Sequence, residues 1–242
     1  MNSIISSPAP PKPIRYIMNT SVASDHIGGN EKLAAAGASG RGRAASILAH
    51  ENVLNRMSAP AGKQAPTPER AWPTDTYFDE LNKLPSYVNG EAVIMYYEPA
   101  ANTDGDSIVF FRHSEVISAG NIFSTVSYPV IDLEKGGSAD GVIKGLNHIL
   151  DLAVPEYRSQ GGTWIIPGRG RLSDTADVAS YRNMMVMIHD RIQDLVNKGM
   201  TLQQVKAAHP TLDFDGRYGS NTGSWTTDMF IEAVYRSLKE KK

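Results

Sequence analysis

Asn19-Thr20-Ser21-Val22-Ala23-Ser24-Asp25-His26-Ile27-Gly28-Gly29-Asn30 is the stretch whose reading decides the fold of this chain. The apolar run Ile14 to Met18 ahead of it reads as a buried strand, and Glu31 to Ala36 behind it reads as the start of a helix. A polar loop that leaves a strand and passes through two glycines into a helix is a common place to build a site. Asp25 next to His26 supplies half of a metal site by side-chain type, and no other side chain in the loop is a strong ligand.

The bulk properties exclude several classes. The chain has 242 residues, 41% of them apolar and 21% charged, which is ordinary for a soluble globular protein. Basic and acidic residues are interleaved and the formal net charge is -2, so there is no basic patch for nucleic acid or an anionic membrane. Without cysteine there is no disulfide, thiolate metal site or cysteine nucleophile. No apolar run approaches the roughly 18 residues of a membrane span. Met1 to Pro13 holds four prolines and no signal-peptide core, so it reads as a flexible lead-in and the chain as written is expected in the cytosol.

Outward from the opening loop, strands and helices alternate. Gly37 to Gly42 is a glycine-rich turn; without a following Lys-Ser/Thr it is no phosphate loop. Ile47 to Ala49 reads as a strand and Glu51 to Met57 as a helix, and Ser58 to Pro73 is a proline-rich surface excursion. Strands follow at Ala92–Tyr97, Ser107–Arg112, Glu115–Ala119 and Thr163–Ile166, with a helix over Ser138–Leu152. Helices are expected at Asp174–Lys198, closed by Gly199, at Thr201–Ala208, and at Thr226–Leu238. The pattern predicts a layered α/β domain over residues 14–242, helical from 174 onward.

Four loops that follow strands carry a glycine and a polar residue. They are Ser21–His26, Asn102 in PAANTDGD, Asn121 in SAGNIF and Arg169 in IPGRGRLSD. Together they resemble the metallo-β-lactamase fold superfamily. Its signature is H-x-H-x-D-H ahead of Gly-Gly-Asn, then a histidine in A-H-T-D-G-D, an aspartate in G-D-x-F and a histidine in I-P-G-H-G. The Tyr181–Met184 and Trp225–Tyr235 segments resemble its lactamase-like hydrolases. The resemblance runs from about Ile14 to Leu238. It implies an αββα sandwich with extra C-terminal helices, hydrolase chemistry and a dinuclear zinc site.

The ligand positions depart from that signature. Ser21 and Ala23 stand where the resemblance places the first two histidines, and Asn102, Asn121 and Arg169 stand at the other three altered positions. Asp25 and His26 alone match. By this comparison one zinc keeps none of its ligands and the other keeps Asp25 and His26. Ala23 has no donor, the neutral oxygens suit harder ions than zinc, and Arg169 offers a fixed positive charge without a lone pair. Catalytic zinc takes three protein ligands at about 2 Å and lowers the pKa of its water to about 7.

The expectation is therefore a hydrolase homologue with a degraded zinc site, catalytically inactive, holding zinc weakly or not at all. Arg169, Asn102 and Asn121 are candidate binders of a small anionic molecule, and Asp25 and His26 are residual metal or catalytic positions. The alternative is an active hydrolase of an ester, lactone or lactam that uses a single metal or the Asp25/His26 remnant. The resemblance implies N-terminal strands ahead of the histidine loop, whereas here the motif begins almost at once, so either that segment is lost or the natural start lies upstream. An N-terminally truncated sheet would leave an exposed edge and favour pairing with a second copy or a longer relative. If the natural start lies upstream, the chain is expected to be exported.

Overall fold

The computed structural model describes residues 13–37, 43–59, 67–154 and 162–239. The Met1 to Pro13 lead-in (except Pro13), the GASGRG turn beyond Gly37 and residues 60–66 of the proline-rich excursion lie outside them. The chain divides into two compact units, Met1–Phe78 and Asp79–Lys242.

The first unit is built on three parallel strands, β1 (Tyr16–Met18), β2 (Ser46–His50) and β3 (Asp75–Tyr77), in that order. β1 pairs with β2 from Tyr16 opposite Ser46, and β2 with β3 from Leu48 opposite Asp75. Parallel strands need crossovers, which here run through helices α1 (Ser24–Ile27), α2 (Asn30–Gly37) and α3 (Glu51–Ser58). The central strand is apolar and buried along Ile47, Leu48 and Ala49. Ala49 packs in a small core with Val22, Ile27, Val53 and Met57. The loop expected between β1 and the following helix contains a helical turn, α1. Ser24-Asp25-His26-Ile27 is too short for periodicity to mark it as helix.

The second unit carries a five-stranded sheet. β4 (Leu81–Lys83), β5 (Val93–Glu98), β6 (Asp106–Phe111) and β7 (Val116–Ser118) form an antiparallel meander, and β8 (Trp164–Ile166) joins β7 in parallel. α4 (Ala139–Leu152) lies between β7 and β8 in the sequence. It is followed after β8 by α5 (Thr175–Asn197), α6 (Leu202–Ala207), α7 (Leu212–Tyr218) and α8 (Thr227–Lys239). Ile108, Ile117 and Ile165 share one sheet face and pack with Leu146 and Ile149 of α4, Met185 and Ile188 of α5, and Phe230 and Val234 of α8. An aromatic group extends this core: Phe230 stacks on Tyr128 at 4.4 Å between ring centres, and Tyr181 meets Phe123 and Tyr218 edge-on.

The Thr201 cap and the closing Gly199 expected from sequence are present, and Ser138 and Asp174 cap their helices as well. Ser138 accepts from the Gly141 amide, Asp174 from Asp177, and Thr201 and Gln204 form a capping box; Gly199 takes a left-handed φ of 75° after α5. Among the described residues, four α-helices and strands go beyond the sequence reading: α1, β3, β4 and α7. Each has seven residues or fewer, too few for a hydrophobic period to emerge.

α4 is seated on the β5–β6 loop. The Ser138 amide and hydroxyl both donate to the Ala100 carbonyl, and a Cβ on Gly141 would stand 1.7 Å from that oxygen. Farther along the helix, His148 Nδ1 lies 2.5 Å from Glu98 Oε1 at the end of β5, and its ring packs edge-on against Tyr96. The Glu98 hydrogen bond raises the His148 pKa above its ordinary 6.5, against the opposite pull of burial. Burial raises Glu98 above 4.5, against the stabilising hydrogen bond from His148.

Two outcomes follow from this seating. A histidine whose folded pKa is raised stabilises the fold fully below its unfolded value of 6.5 and loses that contribution as pH rises through the folded value. Urea unfolding should give a higher midpoint at about pH 6 than at about pH 9, and His148→Gln should flatten the difference. A slope unchanged in the variant would refute the assignment. Gly141→Ala gains about 1 kcal/mol of helix propensity, but its Cβ has no room at Ala100, and overpacking costs about 1–3 kcal/mol. The variant should unfold at lower urea than the parent.

Candidate functional site

The predicted residues fall on both units. In the first, the loop after β1 is held from within by two buried amides. Asn19 Nδ2 donates to Asn30 Oδ1 and Asn30 Nδ2 to Asn19 Oδ1, at 3.0 and 2.8 Å. Asn19 also donates to the His26 carbonyl, and Asn30 to the Ala71 carbonyl. The Asn of the Gly-Gly-Asn motif is thus a loop anchor, a role its place at the helix start did not reveal.

Within that frame Ser21 is fully buried, and its hydroxyl accepts from the Ala23 amide at 3.4 Å. Ala23 is the residue ahead of α1 and makes no side-chain cap. Asp25 is exposed in the first turn of α1. His26 is half-buried, with Nδ1 2.8 Å from Thr20 Oγ1. With Nδ1 engaged by the hydroxyl, Nε2 is the ring nitrogen left for a ligand. The loop therefore offers one carboxylate and one imidazole nitrogen. At the end of β2, His50 Nδ1 accepts from the Asn52 amide to cap α3, and its ring meets Tyr77 edge-on at 5.3 Å.

In the second unit the structure brings Asn121 and Arg169 together. Gly120–Ile122 is a single 3-10 turn after β7, and Arg169 follows β8. The two segments are stitched by backbone: Gly168 N donates to Phe123 O, Thr125 N to Arg169 O, and Ser124 bridges Arg169 in parallel register. Gly168 allows this approach, since a Cβ there would lie 2.5 Å from the Gly120 carbonyl and 2.9 Å from Asn121 Oδ1. Asn121, Ser124, Ser127, Tyr128, Val130 and Arg169 border a cavity of about 30 Å³.

Asn102 reaches this region indirectly. It is 2% exposed, its Nδ2 donates to the Val130 carbonyl at 2.6 Å, and its Oδ1 is buried without a hydrogen-bond partner among the described residues. The TDGD turn that carries it is closed by Asp106. The Asp106 carboxylate accepts from the Thr103 amide and hydroxyl at 2.7 and 3.1 Å. Asp132 caps the turn Leu133–Lys135 and pairs with Lys135 at 2.7 Å, as loop structure requires.

Sequence reasoning missed Ser124 and Ser127 on the cavity, and the Glu98–His148 pair. A serine three residues from another in a loop carries no periodic signal. His148 lies 50 residues from its carboxylate, and only the packing of α4 on β5 joins them. Among the described residues, no three His, Asp or Glu side chains are grouped so as to hold a metal ion.

No known family's sequence profile matches the chain, and no curated protein matches it. Solved structures do. The chain superimposes on the stereoselective inverting sec-alkylsulfatase Pisa1 from Pseudomonas sp. with a TM-score of 0.64 and 15% identity, over 97% of this chain and 42% of that one. It thus spans less than half the length of the sulfatase. A metallo-β-lactamase from Pontibacter korlensis is matched with a TM-score of 0.55 and 11% identity, over 77% of this chain and 74% of that one. The DIM-1 metallo-β-lactamase is matched with a TM-score of 0.50 and 15% identity, over 70% of this chain and 67% of that one. The chain has the metallo-β-lactamase fold.

Proposed function

We propose that this chain is a metallo-β-lactamase-fold hydrolase homologue whose dinuclear zinc site is dismantled, leaving a catalytically silent scaffold with a residual binding role. The observation that carries the reading is the donor set. Of the seven positions that the resemblance assigns to zinc, only Asp25 and His26 carry side chains that ligate it well. Ser21 is spent inside its own loop, and Asn102 turns its amide to the Val130 carbonyl. Arg169 sets a guanidinium at one of the remaining positions. Zinc would supply a Lewis acid and an activated water. The residues present do not fit a catalytic zinc centre, which needs three protein ligands and an open coordination position.

The binding role rests on what the neighbouring frames retain. The asparagine pair under the first loop, the Asp106-closed turn and the Phe123–Arg169 stitches are all intact. The segments that would present ligands stay ordered while the ligands have changed.

The test is metal analysis of the purified chain, alongside hydrolysis of a chromogenic lactam, a lactone and an aryl ester with and without a chelator. The expected result is far less than stoichiometric zinc and no chelator-sensitive hydrolysis. Near-stoichiometric zinc with hydrolysis abolished by the chelator would refute the proposal.

A further inference from the structure

We propose that the open edge of β1 in the first unit is a self-association edge, on which β1 of a second copy of this chain pairs antiparallel about a twofold axis through Ile17. The inference stands apart from the reading of the zinc positions and goes beyond it.

The four strands at sheet edges are β1 and β3 in one sheet and β4 and β8 in the other. Three of them are protected. On the outer side of β8, Ile165 exchanges both backbone bonds with Ser173. β4 carries the exposed Lys83 and is followed by Pro85, and β3 presents the exposed Asp75 and Thr76. Edge charges, prolines and covering segments are the devices that keep a sheet from pairing with another chain. β1 has none of these. Tyr16, Ile17 and Met18 are uncharged and half-buried, and no loop or side chain among the described residues bonds the backbone of Tyr16 or Met18.

The direction of those backbone groups follows from the pairing with β2. Arg15 O accepts from Ser46 N and Asn19 N donates to Leu48 O, each at 2.9 Å. Bonding direction alternates along a strand, so Ile17 also faces β2. The N–H and C=O groups of Tyr16 and Met18 therefore point to the open side, two donors and two acceptors in all.

That set is its own complement. With two copies antiparallel and Ile17 opposite Ile17, Tyr16 of each copy stands opposite Met18 of the other. Each such pair exchanges both backbone bonds, giving four across the axis. The side chains match as well: an aromatic ring meets a thioether, and isoleucine meets isoleucine. Arg15 falls opposite Asn19, so no like charges face each other. The edge has no charge of its own to select a foreign segment, whereas the chain's own strand fits it at every position. Three residues a side make a small contact, so the association is weak and depends on concentration.

The experiment uses the full chain in sedimentation equilibrium at loadings from about 10 µM to about 1 mM, the range in which small interfaces associate. The average mass should rise with concentration from 26.3 kDa toward twice that value. Tyr16→Pro removes an outward amide without removing a bond to β2, and should weaken association by roughly tenfold or more. Tyr16→Lys places a charge on the edge and serves where the proline variant does not fold. Lys83→Ser on β4 should leave the mass profile unchanged. The register is tested separately. Ile17 falls at the non-hydrogen-bonded pair, with Cα atoms about 4.5 Å apart, within the roughly 4.4–6.8 Å that a disulfide spans. Because the chain has no cysteine, Ile17→Cys supplies one thiol on the axis. Oxidation with diamide should cross-link this variant well ahead of Lys83→Cys. A monomer at every concentration would overturn the proposal. So would a dimer that survives both Tyr16 variants, or one in which Ile17→Cys cross-links no faster than Lys83→Cys.

Discussion

The tightest constraint in the second unit is the approach of α4 to the β5–β6 loop. With no side chain at Gly141, the helix lies against the Ala100 carbonyl, where even a methyl group would collide. Ser138 then bonds that carbonyl twice while capping its own helix, and His148 fastens the next turns to Glu98. The loop so gripped carries Asn102, which in turn holds Val130. A core helix, a sheet hairpin and the cavity lining are therefore linked through one close packing contact. Interiors at this density transmit displacement rather than absorb it.

The same scaffold holds the loops that bear the candidate residues independently of the side chains they present. The segments bearing Asn121 and Arg169 are aligned by backbone hydrogen bonds and by the absence of a side chain at Gly168, none of which depends on the side chains at 121 or 169. Likewise, the loop carrying Asp25 and His26 is fixed by Asn19 and Asn30, which face into the loop's own interior. Changing the side chain at any of these positions leaves the supports in place.

Much of the fold was legible in residue pattern. β5, β6, α4, α5 and α8 carry long apolar runs or helical periods, Gly199 marks the end of α5, and the ranges read from pattern agree with the structure within a residue or two. The short elements were not legible. Asp75–Tyr77 and Leu81–Lys83 become strands because neighbours pair with them, and Leu212–Tyr218 becomes a helix although Gly216 interrupts it. Around the small cavity, Asn121 and Arg169 were singled out from their motifs, but Ser124 and Ser127 were not, because loop serines look alike until the loop is folded.

The sequence alone determined which side chains are available: an aspartate and a histidine in one loop, and two asparagines and an arginine where that loop's counterparts lie. Ligand chemistry is a property of residue type, so which of these side chains can donate to zinc is readable without coordinates. The tertiary structure decided how those side chains are spent. It turned Asn102 onto a carbonyl, tied His26 to Thr20, joined His148 to a carboxylate 50 residues away, and placed Arg169 beside Asn121 and two serines. Hydrogen bonding and burial depend on which groups meet in space, and for these residues the meetings are made by segments far apart in the chain.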